Sequence, residues 1–284
     1  MKLLRIRKDG NVIPAILVSE EKLLDCSSIT ADFDGEFYES EGISKLEAAL
    51  KANTLPVLEA SPEDADSSIP RPGKIVCIGL NYSDHAKEAG MAEPDEPIIF
   101  MKATSALSGP FDPIRKPRAA TELDWEVELG IVIGKTARYL ESEEEALSHV
   151  AGYTVANDVS ERAFQLKHGG QWTKGKSHDT FCPTGPWLVT PDEAGDPQNL
   201  QMTLSVNGET MQNGNTKTMI FPVSKIIHYL SQYMTLEAGD LIITGTPPGV
   251  GAGMVPQKWL QVGDVVSLSI EGLGTQTQTV IADE

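Results

Sequence analysis

Short apolar runs recur from residue 74 onward between glycine and proline turns: KIVCIGL, PIIFM, VELGIVIG, GYTVAND, GPWLVT, LQMTLSVNG, DLIITG and DVVSLSI. Runs of this length, rich in Val and Ile and bounded by turn residues, predict β-strands. Helical spacing is rarer. SEEEALSHV opens with Ser142 and Glu145 in capping-box positions, and VSKIIHYLSQYM places Val223, Ile226, Ile227, Leu230 and Tyr233 on one face. Strands and helices do not alternate regularly, which argues for a strand-rich α+β protein and against a doubly wound parallel sheet.

Ahead of this region, KLLRIR and VIPAILV read as strands, and GISKLEAALKAN carries Ile43, Leu46 and Leu50 at helical spacing. Residues 1–65 are therefore expected to form a small accessory domain. The acidic, Ser- and Pro-rich stretch EASPEDADSSIPRPGK shows no periodicity and has the composition of a linker, placed at residues 66–73. The main domain then covers 74–284.

Composition narrows the function classes. With 284 residues, 40% hydrophobic and 23% charged, the chain has the balance of a globular protein with a sizeable core. Its 41 acidic residues outweigh 23 basic ones, a formal charge of −18, which argues against nucleic acid or an anionic membrane as partner. Cys26, Cys77 and Cys182 are far apart and in no metal-ligand spacing, as in a reduced cytosol. Charges at Lys2, Arg5, Arg7, Lys8 and Asp9 interrupt any signal-peptide pattern, and the longest uncharged run, LIITGTPPGVGAGMVPQ, is too rich in Gly and Pro to span a bilayer. A soluble cytoplasmic protein is expected.

The stretch LDWEVELG puts Asp124, Glu126 and Glu128 on one face of a single strand and Leu123, Trp125, Val127 and Leu129 on the other. An antiparallel strand with one wet face would give the same alternation. The following GIVIG, apolar on both faces, instead points to a covered interior with the carboxylates at its entrance. Adjacent buried carboxylates repel unless a cation lies between them, and hard oxygen donors favour Mg²⁺, Mn²⁺ or Ca²⁺ over zinc. Asp158, at the end of a second apolar run in YTVANDVSER, offers a third oxygen ligand; alone it would read as a turn or helix cap.

Three further segments carry candidate chemistry. In GLNYSDHAKEAG, His85 and Glu88 share one face of a helical turn, an arrangement that suits a general base acting on water, although the segment alone reads more readily as a solvent-exposed pair. The loop GGQWTKGKSHDTFCPTGPWL brings Lys174 and Lys176 toward an apolar run, where a lysine could hold an anion or simply be solvated. Gly249, Gly251 and Gly253 are too interrupted by proline for a dinucleotide fingerprint, although their N–H groups could grip a carboxylate. His168 and His178 lie in polar loops and stay undecided.

Taken together, GLNYSDHAKE, DWEVELGIVIG, ANDVSERAFQ, WTKGKS and ITGTPPGVG resemble the fumarylacetoacetate hydrolase family over residues 74–284. The resemblance implies a mixed β-sandwich roll and a divalent metal, usually Mg²⁺ or Mn²⁺, held by Glu126, Glu128 and Asp158. It further implies Arg162 and Gln165 near the substrate, Lys176 as the active-site lysine, Gly245 and Thr246 as the carboxylate-binding loop, and His85 with Glu88 as the catalytic pair on a lid over residues 82–97. Asp124 stays outside the ligand set. A fourth carboxylate used by longer, fumarylacetoacetate-cleaving members is missing from VCIGLNY, so the chain resembles the three-carboxylate, acylpyruvate-cleaving branch. Homodimers are common in the family and one is expected.

The implied activity is metal-dependent hydrolysis of a C–C bond in a 2,4-dioxo acid, whether an acylpyruvate, a fumarylacetoacetate-like compound or a 2,4-diketo-3-deoxy sugar acid, with departure of a metal-stabilised pyruvate enolate. Oxaloacetate decarboxylation and dienoic acid isomerisation use the same platform without a water nucleophile. A non-catalytic binder of metal and small acids is the alternative of another class.

Overall fold

The computed structural model describes residues 1–20, 22–88, 90 and 92–283. Two sheets carry the architecture. In the larger, Val57–Leu58, Lys22–Asp25, Asn11–Ser19, Lys2–Lys8, Leu188–Val189, Val150–Asn157, Val127–Ile133, Leu241–Ile243, Ile75–Gly79 and Ile98–Lys102 lie side by side. All neighbours run antiparallel except Leu241–Ile243 and Ile75–Gly79, which are parallel. The smaller sheet orders Glu209–Asn215, Gln201–Val206, Val265–Ile270, Gly274–Ala282 and Ile114–Lys116. Their facing side chains, among them Leu129, Ile131, Val155, Met202, Leu204 and Leu268, share one core. This is the strand-rich α+β architecture that the apolar runs imply, and the mixed β-sandwich that the family resemblance implies.

Strand direction explains why distant motifs meet. Val127 is in register with Asn157, Gly130 with Ile243, and Cys77 with Ile243. The start of Val127–Ile133 and the ends of Val150–Asn157, Leu241–Ile243 and Ile75–Gly79 therefore lie at the same end of the sheet. Glu126, Asp158, Gly245 and the segment leading to His85 leave the sheet together there. Buried amides tie the layers just beneath: Gln276 Nε2 donates to the Val155 carbonyl at 2.9 Å, and Gln212 Oε1 accepts from the Val127 N–H at 2.9 Å.

Four local expectations are modified. LDWEVELG is not one strand: Leu123–Asp124 pairs with Ser160–Glu161, Val127–Ile133 pairs with Val150–Asn157, and the chain breaks at Trp125 and Glu126 between them. Neither face is wet, since Asp124, Glu126 and Glu128 are 0%, 6% and 2% exposed. The helix Val223–Tyr233 buries Val223, Ile226, Ile227 and Leu230 as expected but turns Tyr233 outward. Ser231 takes the inner place because its carbonyl and hydroxyl accept the Tyr139 and Leu140 N–H groups.

The third and fourth modifications concern the N-terminal region. Lys2–Lys8 pairs with Leu188–Val189, so strands of residues 1–65 continue the main sheet. The stretch expected as a linker is packed: Ser68 and Ile69 are fully buried, and the Arg5 guanidinium donates to the carbonyls of Ser67 and Ile69. No helix among the described residues is long and apolar enough to cross a membrane.

Candidate active site

Glu126, Glu128 and Asp158 offer carboxylate oxygens that all lie within 4.8 Å of one another. Each is fixed through one oxygen by a separate donor. Arg162 Nη2 donates to Glu126 Oε1 at 2.6 Å, the Gly245 N–H to Glu128 Oε2 at 2.7 Å, and Lys102 Nζ to Asp158 Oδ1. The other oxygen of each turns toward the shared centre of the cluster. Lys176 Nζ now bridges two of them, at 3.0 Å from Glu126 Oε2 and 2.7 Å from Asp158 Oδ2. Backbone bonds hold the set together, with the Asp158 N–H donating to the Glu126 carbonyl at 3.0 Å and the Glu126 N–H to Asn157 Oδ1 at 3.2 Å.

Electrostatics tests whether a metal fits. Burial pushes the Glu126 carboxyl up, but Lys176 and Arg162 outweigh it and hold the group well below the usual carboxylate range. Among the described residues, Glu128 has only the Gly245 N–H as a donor. Burial, followed by the charges of Asp158 and Glu126, raises its pKa well above the usual range. Burial likewise favours a neutral Lys176, and Asp158 and Glu126 reverse this to raise its pKa. A cluster of oxygen donors with a carboxylate short of a positive partner fits a hard divalent cation.

Asp124 points away from this cluster. Its carboxylate accepts from the N–H groups of Trp125, Gly251 and Ala252 at 2.9, 2.7 and 3.1 Å, and from Arg162 Nε at 2.9 Å. The Gly-rich loop thus grips carboxylates, as its N–H groups suggest, but they are the protein's own. Arg162 Nη1 also donates to Gln165 Oε1 at 3.2 Å, which orients the Gln165 amide.

The His85–Glu88 pair stands opposite. The helix Ser83–Glu88 follows Leu80, whose φ of +52° turns the chain back over the sheet end. His85 Nδ1 lies 3.0 Å from Glu88 Oε2, and the Gly249 N–H donates to Glu88 Oε1 at 3.0 Å. Their side chains are 12% and 23% exposed, so this is no freely solvated pair. Residues 89 and 91 of the expected lid lie outside the described residues. His85, Glu126, Glu128, Arg162, Gln165 and Lys176 face a cavity of about 70 Å³ walled by Phe100 and Trp172.

Most expected site residues are therefore brought together. Lys176 is buried, whereas Lys174 is exposed and donates to the His168 carbonyl. His178 bonds Asp283, away from the cavity. Gly245 and Thr246 line the cavity, but the expected carboxylate-binding groups are engaged: the Gly245 N–H serves Glu128, and the Thr246 hydroxyl donates to the Val127 carbonyl at 2.9 Å while accepting from Gln212 at 2.8 Å.

Lys102 was not a sequence candidate. Its signal was faint: one lysine ending the apolar run PIIFMK, with nothing nearby to say that it is fully buried. Asn157 and Gln212 carry no sequence signal for the same reason, since ordinary amides acquire meaning only from what they touch.

Residues 74–281 match the family described as Fumarylacetoacetate (FAA) hydrolase C-terminal. The chain belongs to the fumarylacetoacetate hydrolase family. It is 53% identical over 283 residues to a 2,4-didehydro-3-deoxy-L-rhamnonate hydrolase of Sphingomonas sp. (strain SKA58), covering 99% of this chain and 96% of that one. Fumarylacetoacetate hydrolase from Exiguobacterium antarcticum superposes with a TM-score of 0.85 at 38% identity over 100% of both chains. Maleylpyruvate hydrolase from Sphingobium sp. SYK-6, solved with manganese(II) and pyruvate, gives 0.81 at 29% identity over 100% of both chains. Within the family, this chain is similar to named hydrolases and is an enzyme.

Proposed function

We propose that the protein hydrolyses the C3–C4 bond of a 2,4-dioxo acid, releasing pyruvate and a carboxylic acid. The observation that carries this reading is that His85, paired with Glu88, faces one cavity with Glu126, Glu128 and Lys176, the two carboxylates clustered with buried Asp158. The Sphingomonas relative's named substrate is itself a 3-deoxy acid oxidised at C2 and C4.

Glu126, Glu128 and Asp158 would hold a divalent ion, Mg²⁺ or Mn²⁺, which when bound supplies Lewis acidity toward the 2-oxo acid head. The remaining chemistry belongs to this chain. Because Nδ1 of His85 faces the Glu88 carboxylate, that nitrogen carries the proton and Nε2 is the free base. Nε2 takes a proton from water, the hydroxide adds to C4, and Glu88 stabilises the imidazolium that forms. Collapse of the adduct breaks C3–C4 and sends the electron pair to the pyruvate enolate. His85 then returns its proton to C3. Lys176 offsets the negative charge that develops, and Gln165, oriented by Arg162, directs its amide toward the bound acid. Phe100 and Trp172 exclude water on the far side.

The test is turnover of acetylpyruvate and oxaloacetate with Mg²⁺ or Mn²⁺, an EDTA control and the His85→Ala variant. Metal-dependent formation of pyruvate and acetate, lost in the variant, is the expected result. Full activity after chelation removes the metal, equal hydrolysis by the variant removes the base, and oxaloacetate decarboxylation as the dominant reaction replaces the hydrolase reading.

A further inference from the structure

Leu80, His85, Arg162, Gln165 and Trp172 line both the inner cavity and a second chamber of about 320 Å³ outside it. If the 2-oxo acid head occupies the floor, the group attached to C4 extends into this chamber. At roughly 30 Å³ for a water-sized group, volume alone admits a tail of several heavy atoms with or without a second carboxylate. Charge separates those two cases.

The ionisable residues lining the outer chamber are Arg162, His85 and Glu88. Arg162 is bound to Asp124 and Glu126, and His85 is bound to Glu88. Among the described lining residues no cation is left without a carboxylate partner, and the Glu88 carboxylate adds a negative neighbour. Leu80, Leu166, Trp172 and Val250 supply an apolar wall, with Leu166 57% exposed at the mouth. Gln257 donates its Nε2 to the Ala252 carbonyl at 3.0 Å, which leaves its Oε1 as an acceptor for a hydroxyl. The whole-chain charge of −18 further disfavours a second negative charge on the ligand.

We propose that the outer chamber selects 2,4-dioxo acids with an uncharged tail, alkyl or hydroxyalkyl, and rejects their dicarboxylic counterparts. This rests on the proposed function. The determinants are the apolar wall of Leu80, Leu166, Trp172 and Val250 and the full pairing of Arg162 and His85.

A matched pair of substrates tests it: 2,4-dioxoheptanoate and 2,4-dioxoheptanedioate, which differ only in a terminal methyl or carboxylate. The neutral-tailed acid is expected to have a kcat/KM at least about 30-fold higher, the scale of an unpaired charge in a partly open pocket. Gln257→Arg and, separately, Leu166→Arg place a cation in the chamber and are expected to narrow that ratio roughly tenfold. A wild-type ratio near one overturns the proposal, as does an unchanged ratio in both variants. Acetylpyruvate, with too short a tail to probe the chamber, reports on the hydrolase reading separately. Should it fail as a substrate, calorimetric binding of the two seven-carbon acids to the Mn²⁺-loaded protein still reads the tail preference. Equal binding of both acids, or binding of neither, overturns the proposal.

Discussion

The floor of the site and the helix above it are built on opposite plans. Glu126, Glu128 and Asp158 are buried at or beside adjacent strand ends, Lys176 reaches them from the short helix Thr173–Lys176, and the set is locked by charge-assisted bonds. His85 and Glu88 sit on a six-residue helix, Ser83–Glu88, joined to the far wall through the Gly249 N–H. Binding groups on a rigid sheet end keep their geometry without substrate, while water-handling groups on a short separate element can close after substrate enters. On the proposed hydrolase reading, the difference makes affinity for the acid head and activation of water mechanically separable.

The strongest challenge to that separation is Glu126→Ala. It removes a floor carboxylate and leaves buried Arg162 and Lys176 short of a partner, with an expected stability loss of about 3–5 kcal/mol. Thermal unfolding should fall together with Mn²⁺ binding and all activity; a normal melting temperature would mean that the floor is not the rigid element. His85→Ala is next. Its hydrolysis rate should drop roughly 10²–10⁴-fold while Mn²⁺ affinity and melting temperature hold. A parallel loss of metal binding would show floor and helix to be one unit.

Lys102→Met sharpens the comparison inside the floor, because the lysine touches Asp158 rather than the cavity. Freed from its donor, Asp158 should bind Mn²⁺ roughly 10–100-fold more weakly, read by electron paramagnetic resonance of free Mn²⁺. Undiminished affinity would make Lys102 a structural counter-charge only.

Gly253→Ala is the mildest perturbation. A Cβ there would lie 2.8 Å from the Glu88 Cδ, so the carboxylate must shift. We expect kcat to fall by roughly tenfold or less, with Mn²⁺ affinity unchanged. An unaltered kcat would show that the exact seat of Glu88 on the loop is unimportant.

The strands were legible because Val- and Ile-rich runs between Gly and Pro turns need only local information, and the capping of residues 143–147 by Ser142 was equally local. Residues 66–73 were misleading: the composition suggested a linker, yet Arg5, distant in sequence, draws the segment into the core. Tyr233 failed for a similar reason, since the apolar stripe could not foresee that residues 139 and 140 would bond to Ser231.

The sequence alone determined the chemical inventory. The spacing of Glu126 and Glu128, the three-residue step from His85 to Glu88, and the lysine at 176 are covalent facts that survive any packing. Tertiary structure decided which atoms are available. It assigned Asp124 to Arg162 and the glycine loop, gave Gly245's N–H to Glu128, distinguished Lys176 from Lys174, and brought Lys102 beneath Asp158. Each of those assignments depends on desolvation and on a partner far away along the chain, and neither exists until the strand ends have been brought together.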